Sequence, residues 1–193
     1  ASLGYDRPFA GLVGPTGSWR CSPSQELHVI IEGESVRLDG TGSVDLGGIA
    51  KGWTVDRVRE GLVAAGAHAV LVDGGGDMAV CGAEWPIGVD DDLSVLLRDG
   101  AVATSSTRSR RWPSAQGRPA HHILSARHGL PAVSPVDTVT VVARNATTAD
   151  ALATAALVDP SGQLPRLTSA GCQAAMRTPS GAWYTTPNWS EAP

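Results

Sequence analysis

Apolar and polar positions recur along this chain with two periods, and the change of period divides it into strands and helices. Leu27-His28-Val29-Ile30-Ile31 and Ser35-Val36-Arg37-Leu38 flank Glu32-Gly33-Glu34, which predicts a β-hairpin. Val44 to Leu46 reads as a strand end running into Gly47-Gly48. From Ile49 to Ala65 the apolar positions Trp53, Val58, Leu62 and Val63 follow helical spacing, and Gly66 is a natural stop. Ala69 to Val72 predicts a short buried strand that enters Asp73-Gly74-Gly75-Gly76-Asp77. Met78 to Cys81, Ser94 to Leu97 and Ala101 to Thr104 predict three more, with Asp99-Gly100 as the tight turn joining the last two. Residues 106–120 carry Ser, Arg, Pro and Gly with little apolar period, the pattern of a functional or mobile loop. Val136 to Ala143 is the clearest strand and Thr147 to Val158 the clearest helix, with Pro160 just past its end. Cys172 to Trp183 predicts a hairpin around Pro179-Ser180-Gly181. Strands in runs between a few helices make the class α+β, or a loosely ordered α/β.

At 193 residues the chain fits one domain, and a domain of this size buries roughly 70% of its unfolded surface without staples. The formal net charge of −4 is spread without blocks, which argues against a nucleic-acid partner, since that calls for a basic face. Arg108, Arg110, Arg111, Arg118 and Arg127 do gather in one region. They read either as a solvated loop or as a local phosphate clamp. Cys21, Cys81 and Cys172 are widely spaced and none has metal-ligand spacing. Cys81 and Cys172 lie in apolar runs and read as small core residues. No apolar run reaches the roughly 20 residues of a spanning helix, and the start of the chain carries no signal-peptide pattern.

Two stretches carry the candidate chemistry. Val44-Asp45-Leu46-Gly47-Gly48-Ile49-Ala50-Lys51-Gly52-Trp53-Thr54-Val55-Asp56 brings glycines and a lysine to a helix start. There, backbone N–H groups and the helix dipole favour a phosphate. It is neither a Walker A loop nor the G-x-G-x-x-G pattern. In Ala149-Asp150-Ala151-Leu152-Ala153-Thr154 a carboxylate and a hydroxyl lie four residues apart, hence on one helix face. A hard cation such as Mg²⁺ uses such oxygens together with substrate phosphates. Spacing alone leaves a second reading open, in which Thr147 is an N-cap, Asp150 completes a capping box and the Thr154 hydroxyl bonds back to a carbonyl. Asp73 to Asp77 is a ligand cradle or a plain strand-to-strand bend. His121 and His122 are adjacent, so on a strand only one faces a given pocket. That one is either a general base or a packed side chain. No serine sits in a G-x-S-x-G elbow, against an ordinary serine hydrolase.

Taken in order, these segments resemble the ApbE family of flavin transferases over most of the chain. Val44 to Asp56 is similar to the family's Asp-Leu-(Gly/Ser)-(Gly/Ala)-Ile-Ala-Lys-Gly-x-x-x-Asp segment. Leu71 to Asp77 is similar to its Gly-Gly-Asp turn, and Ala103-Thr104-Ser105 to its Ala-Thr-Ser segment. His122 falls at its His-x-Ile-Asp-Pro-x-Thr-Gly block, and Val139 to Thr154 at its Thr-Val-x-Ala strand and Ala-Asp-Ala-x-Ala-Thr helix. Trp53 and Arg110-Arg111-Trp112 resemble a short bacterial branch. The resemblance implies an α+β fold of mixed or antiparallel sheets with a few packing helices. It also implies FAD as substrate, Mg²⁺ as cofactor, and transfer of FMN to a Thr or Ser hydroxyl of an acceptor protein with release of AMP. The implied acceptor belongs to a membrane redox complex or is a flavin-carrying reductase. The implied place of action is the outer face of the cytoplasmic membrane or the cytoplasm, with no signal or lipidation site visible at Trp19-Arg20-Cys21. Alternatives are an FAD pyrophosphatase giving FMN and AMP, and a non-catalytic flavin-binding module.

By position, the resemblance makes Asp150, Thr154 and a backbone carbonyl near Gly48 the metal ligands. It puts Asp45, Lys51, Gly75, Gly76, Asp77, Thr104, Ser105 and Leu124 at FAD, and makes His122 the base. The chain departs from the pattern at Ser125-Ala126, where the family has Asp-Pro, at His128, where it has Thr, and at Ser106, where many members have Gly. Ala1-Ser2-Leu3-Gly4-Tyr5 resembles a point well inside the family domain, so the expectation is one domain over 1–193 without the usual first part.

Overall fold

Residues 27–91, 93–112 and 120–192 are described by the computed structural model. Their contacts fall into two units, one holding Leu46–Ser106 and Ser134–Pro193, the other the segments up to Asp45 and from Thr107 to Val133. Up to Asp45, β1 (His28–Glu32) and β2 (Ser35–Asp39) form the expected hairpin. Leu46–Ser106 contains α1 (Ala50–Ala64), β3 (Val70–Asp73), β4 (Asp77–Cys81), β5 (Trp85–Asp90), β6 (Leu93–Leu97) and β7 (Gly100–Ser106). Between Thr107 and Val133, β8 (Arg111–Trp112) pairs with β9 (Ala120–His121), and β10 (Leu124–Ser125) with β11 (Leu130–Pro131). The rest forms β12 (Thr138–Ala143), α2 (Ala146–Val158), α3 (Pro160–Ser169), β13 (Gln173–Arg177) and β14 (Trp183–Thr185).

In the larger unit six strands pair antiparallel in the order β14-β13-β12-β7-β4-β3, so the α+β class holds. Side chains alternate across this sheet. Val80, Val102 and Val142 point to one face, where they pack with Ile87, Val95 and Leu97 of the β5–β6 hairpin. Ala79 and Ala101 point to the other, against Val55 of α1 and Ala146 of α2. That second face is built from small side chains. Ala79, Ala101 and Ala103 of the sheet are fully buried, as are Ala146, Ala149 and Ala153 of α2. Alanine stripes let α2 lie close on the sheet, and the polar side chains between those alanines are brought close with it. Among the described residues no helix is long and apolar enough to cross a membrane.

Several expectations are corrected. Val44 to Leu46 is exposed and pairs with no strand among the described residues. Asp99-Gly100 does not close a hairpin, because β6 pairs with β5 while β7 pairs with β4 and β12. The apolar positions of α1 are not its buried face. Trp53 is 56% exposed and Leu62 43%, whereas Gly52, Val55 and Asp56 are buried. Pro160 ends α2 but also opens α3 as its first residue. The N-cap of α2 is Asn145, whose side chain accepts from Thr148 N, and not Thr147. The loop expected over residues 106–120 contains β8, and its 113–119 part, with Arg118, lies outside the described residues, as does Cys21. Cys172 is a buried core residue as expected, and Cys81 is half-buried.

What joins α1 to α2 is a reciprocal pair of caps. An α-helix leaves its first N–H groups without partners. Asp56 of α1 accepts from Ala146 N at 2.8 Å, Thr147 N at 2.8 Å and the Thr147 hydroxyl at 2.5 Å, all at the start of α2. Asp150 of α2 in turn accepts from Gly52 N, in the first turn of α1, at 3.2 Å. The approach is possible only because residue 52 lacks a Cβ, which would lie 2.2 Å from the carbonyl oxygen of Ala146.

In the smaller unit, Arg111 stands opposite His121 in the β8–β9 ladder. His121 is buried, and its Nε2 lies 3.1 Å from the carbonyl oxygen of Ala132. A carbonyl only accepts, so Nε2 carries the proton of the neutral ring. Burial pushes the ring's pKa below the ordinary 6.5, the Ala132 bond opposes this, and the Arg111 charge adds to the lowering.

Asp56→Ala strips three donors of their acceptor and should lower unfolding free energy by roughly 2–4 kcal/mol, and Gly52→Ala by about 1–3 kcal/mol through overpacking. Urea unfolding followed by circular dichroism checks both, and an Asp56→Ala loss below about 1 kcal/mol would show that the caps do not carry the pairing. For His121, the native ring stays neutral where the unfolded chain takes up a proton. Stability is therefore lost as pH falls below about 6.5, down to the folded pKa. The urea midpoint should fall between about pH 7 and about pH 5. His121→Asn, which keeps an N–H for Ala132 and does not titrate, should flatten that fall, and equal slopes would rule the assignment out.

Candidate functional site

The close approach of α1 and α2 assembles a cluster of oxygen donors in the larger unit. Asp150 and Thr154 lie one turn apart on α2, as their spacing requires. Asp150 is buried, and its Oδ2 is the acceptor for Gly52 N. Thr154 Oγ1 lies 2.7 Å from Ser105 Oγ of β7. Gly48 stands directly against Thr154, since a Cβ at residue 48 would lie 3.1 Å from its Oγ1. So the structure gathers Gly48, Ser105, Asp150 and Thr154. Asp150 is therefore not the capping-box acid of its own helix, and the Thr154 hydroxyl is bonded across to the sheet.

Asp77 and Lys51 extend the cluster. Asp77 opens β4 on the face that meets the helices, and it is fully buried. Lys51 Nζ stands 2.9 Å from Asp77 Oδ2, and the lysine side chain is 45% exposed. Neither Asp77 oxygen accepts a well-aligned hydrogen bond among the described residues, so the ion pair is what answers its charge. Burial raises the pKa of Asp77 above the ordinary carboxylate value, and the neighbouring charge of Asp150 raises it further, against the lowering by Lys51. Of these two carboxylates it is Asp77 that pairs with the Lys51 ammonium.

This donor set fits a hard divalent cation. Carboxylate and hydroxyl oxygens are its preferred ligands, the local charge is negative, and a Thr154 hydroxyl that donates to Ser105 leaves its lone pairs for a metal. Among the described residues no group of three or more His, Cys, Asp or Glu gathers to hold a metal. A cation here would accordingly rely on Asp150, Thr154 and backbone oxygen at Gly48, with remaining positions left for substrate. An open depression lined by Arg59, Glu60, Val63, Ala64, Cys81 and Asp99 lies about two turns further along α1. Its two carboxylates disfavour an anion.

The other expected residues fall in different places. Thr104 neighbours Ser105 on β7 and so faces the opposite side of the sheet, where its hydroxyl lies 2.8 Å from that of Thr140. It is not part of the cluster. Gly75 and Gly76 form the β3–β4 turn, at φ 82° and 97°. Their N–H groups donate to Asp73 Oδ1 at 2.8 and 3.0 Å, so the turn is closed by its own aspartate. Asp45, His122 and Leu124 belong to the smaller unit. Asp45 is exposed, His122 is half-buried just past β9, and Leu124 is 42% exposed. Arg108, Arg110, Arg111 and Arg127 are exposed, and Arg111 Nε donates to the carbonyl of Thr107 at 2.6 Å.

Sequence reading missed the parts played by Gly52 and Asp56. Both lie inside the quoted segment, four residues apart and therefore on one face of α1. That spacing, beside an exposed apolar set, was the available signal.

The profile of the ApbE family matches residues 21–176. An FAD:protein FMN transferase of Treponema pallidum (strain Nichols) is 35% identical over 136 residues, which are 60% of this chain and 37% of that protein. The crystal structure of the ApbE protein from Thermotoga maritima superposes with a TM-score of 0.72 at 31% identity, covering 82% of this chain and 57% of that one. The flavin transferase ApbE from Vibrio cholerae does so with a TM-score of 0.66 at 29% identity, covering 83% and 56%. The chain spans well under half the length of the curated relatives it matches.

Proposed function

The chain belongs to the ApbE family, and on that premise we propose that it moves FMN from FAD onto a Thr or Ser hydroxyl of an acceptor protein, with Mg²⁺, releasing AMP. The observation that carries this reading is the gathering of Asp150, Thr154, Ser105 and Gly48 beside the N-terminus of α1. Relatives named FAD:protein FMN transferase supply the reaction class.

Asp150, Thr154 and the carbonyl of Gly48 are the groups that would hold Mg²⁺. When bound, the ion neutralises charge on the diphosphate and eases the departure of AMP. A Thr154 hydroxyl that donates across the 2.7 Å contact to Ser105 would keep its lone pairs for the ion. Lys51 adds a second positive charge for a phosphate oxygen, and the first turn of α1 adds the favourable end of its dipole. The acceptor hydroxyl attacks the phosphorus of the FMN half. A new phosphorus–oxygen bond forms there, the bond to the bridging oxygen breaks, and AMP leaves with that electron pair. His122 takes the hydroxyl proton, the task of a neutral imidazole. Its role rests on the resemblance of residues 122–129 to the family's histidine block. The acceptor class we assign is a protein of a membrane redox complex or a flavin-carrying reductase.

Incubation with FAD, Mg²⁺ and an acceptor bearing the flavinylation motif should leave covalent flavin on the acceptor, with one AMP released per flavin attached. AMP and free FMN forming equally fast without acceptor would replace transfer by hydrolysis. Asp150→Ala should lower Mg²⁺-dependent transfer by about 10-fold or more, and unchanged activity across a Mg²⁺ titration would confine Asp150 to capping α1. His122→Ala should still bind FAD while transfer falls by about 10²- to 10⁴-fold, and an unaltered rate would remove it from the mechanism.

A further inference from the structure

Asp77 is a charge in a place where this fold otherwise uses alanine. Its neighbours on the helix-facing side are Ala79 on its own strand and Ala103 directly opposite on β7, both fully buried. A carboxylate there is strongly unfavourable unless it is paired, and among the described residues its counter-charge is the ammonium of Lys51 at 2.9 Å. With none of its surface open to solvent, Asp77 cannot itself touch a ligand. Lys51 can, because its side chain is 45% exposed.

Asp150 completes the argument. It is close enough to Asp77 to act on its charge, and its Oδ2 is held by the N–H of Gly52, the residue after Lys51. It is therefore the carboxylate that would capture the ammonium if Asp77 were absent. A lysine on Asp150 would neutralise the one carboxylate assigned to the metal and would withdraw a positive charge from the diphosphate.

We propose that Asp77 is a positioning residue that holds the Lys51 ammonium beside Asp150 and off it, keeping Asp150 open to a divalent cation and Lys51 open to a phosphate oxygen of the dinucleotide. This inference rests on the FAD reading above. It assigns Asp77 a part played through Lys51 and no contact with flavin.

The test is a double-mutant cycle on the full chain with Asp77→Asn, Lys51→Met and both together. The readouts are the FAD dissociation constant, from flavin fluorescence with and without Mg²⁺, and the Mg²⁺ concentration for half-maximal FAD binding. Asp77→Asn should weaken FAD binding in Mg²⁺ by about 10-fold and raise the Mg²⁺ requirement. Lys51→Met should weaken FAD binding comparably. The double variant should be no weaker in FAD binding than either single one, because the two act as one unit. The raised Mg²⁺ requirement should vanish in the double variant, since no ammonium is left to occupy Asp150. Losses that multiply, or an Asp77→Asn protein that binds FAD and Mg²⁺ as the parent does, would overturn the proposal. If the asparagine protein does not unfold cooperatively, Asp77→Ala, which matches the alanines around it, takes its place in the same cycle. Parent protein that fails to bind FAD in Mg²⁺ would overturn the FAD reading and this inference together. Parent binding with multiplicative losses would overturn this inference alone.

Discussion

Two helix beginnings that cap one another govern the larger unit. Asp56 of α1 takes the first free N–H groups of α2, and Asp150 of α2 takes one from α1. Their weight can be set against the alternatives. The apolar residue that α1 buries is Val55, alongside Gly52 and Asp56. One buried valine contributes roughly 1.5–3 kcal/mol. Removing the bonds to the Asp56 carboxylate is expected to cost roughly 2–4 kcal/mol, and the bond from Gly52 N to Asp150 adds to this, so the polar contacts outweigh the packing. This explains a helix whose large apolar side chains lie mostly at the surface while an aspartate and a glycine sit inside.

The same contacts fix the candidate chemistry. Asp150 is immobilised through one oxygen by a backbone N–H at a helix start, which leaves the carboxylate oriented without drawing on a second side chain. Its neighbour Asp77 adds negative charge, and the one ammonium of Lys51 does not balance two carboxylates. Sequences selected for stability alone avoid such an arrangement, because unbalanced buried charge is destabilising. A site that must hold a cation and a diphosphate has a use for it, since the ligands supply the missing charges. The electrostatics and the capping geometry thus point to the same occupant.

Much of this was legible in the sequence, and the failures have physical causes. Strands and helices read well where the apolar pattern is strong, as in β12, buried on both faces, and α2, buried along one. Asp99-Gly100 has the chemistry of a hairpin turn, but whether flanking strands pair depends on partners far along the chain, which local pattern does not contain. Pro160 was readable as a helix end, yet proline is equally at home in a first turn, and α3 begins on it. The buried face of α1 does not follow its apolar spacing, because capping by Asp56 and Asp150 decides which side lies inward. Thr104 and Ser105 belong to one motif, yet as adjacent strand residues they face opposite sides of the sheet, toward Thr140 and Thr154. Asp150 and Thr154 share one face of α2 as read, because four-residue spacing on a helix is a local fact that tertiary contacts leave unchanged.

The segment after His122 shows how a departure from a family pattern can be separated into fold and chemistry. Where the resemblance leads one to expect Asp-Pro, this chain has Ser125-Ala126. The turn there is nevertheless closed by backbone groups. The carbonyl of Ser125 accepts from His128 N at 3.1 Å and Gly129 N at 2.7 Å, and Gly129 adopts φ 62°. Ser125 then pairs with Leu130 across the β10–β11 ladder, and the carbonyl of Ile123 accepts from Ala132 N at 3.0 Å. None of these bonds uses the side chain of residue 125 or a proline ring at 126. The turn beyond His122 is therefore closed in this chain without either group. What the change removes is one negative charge and one rigid ring, so any consequence must be sought in what the segment binds and not in how it folds.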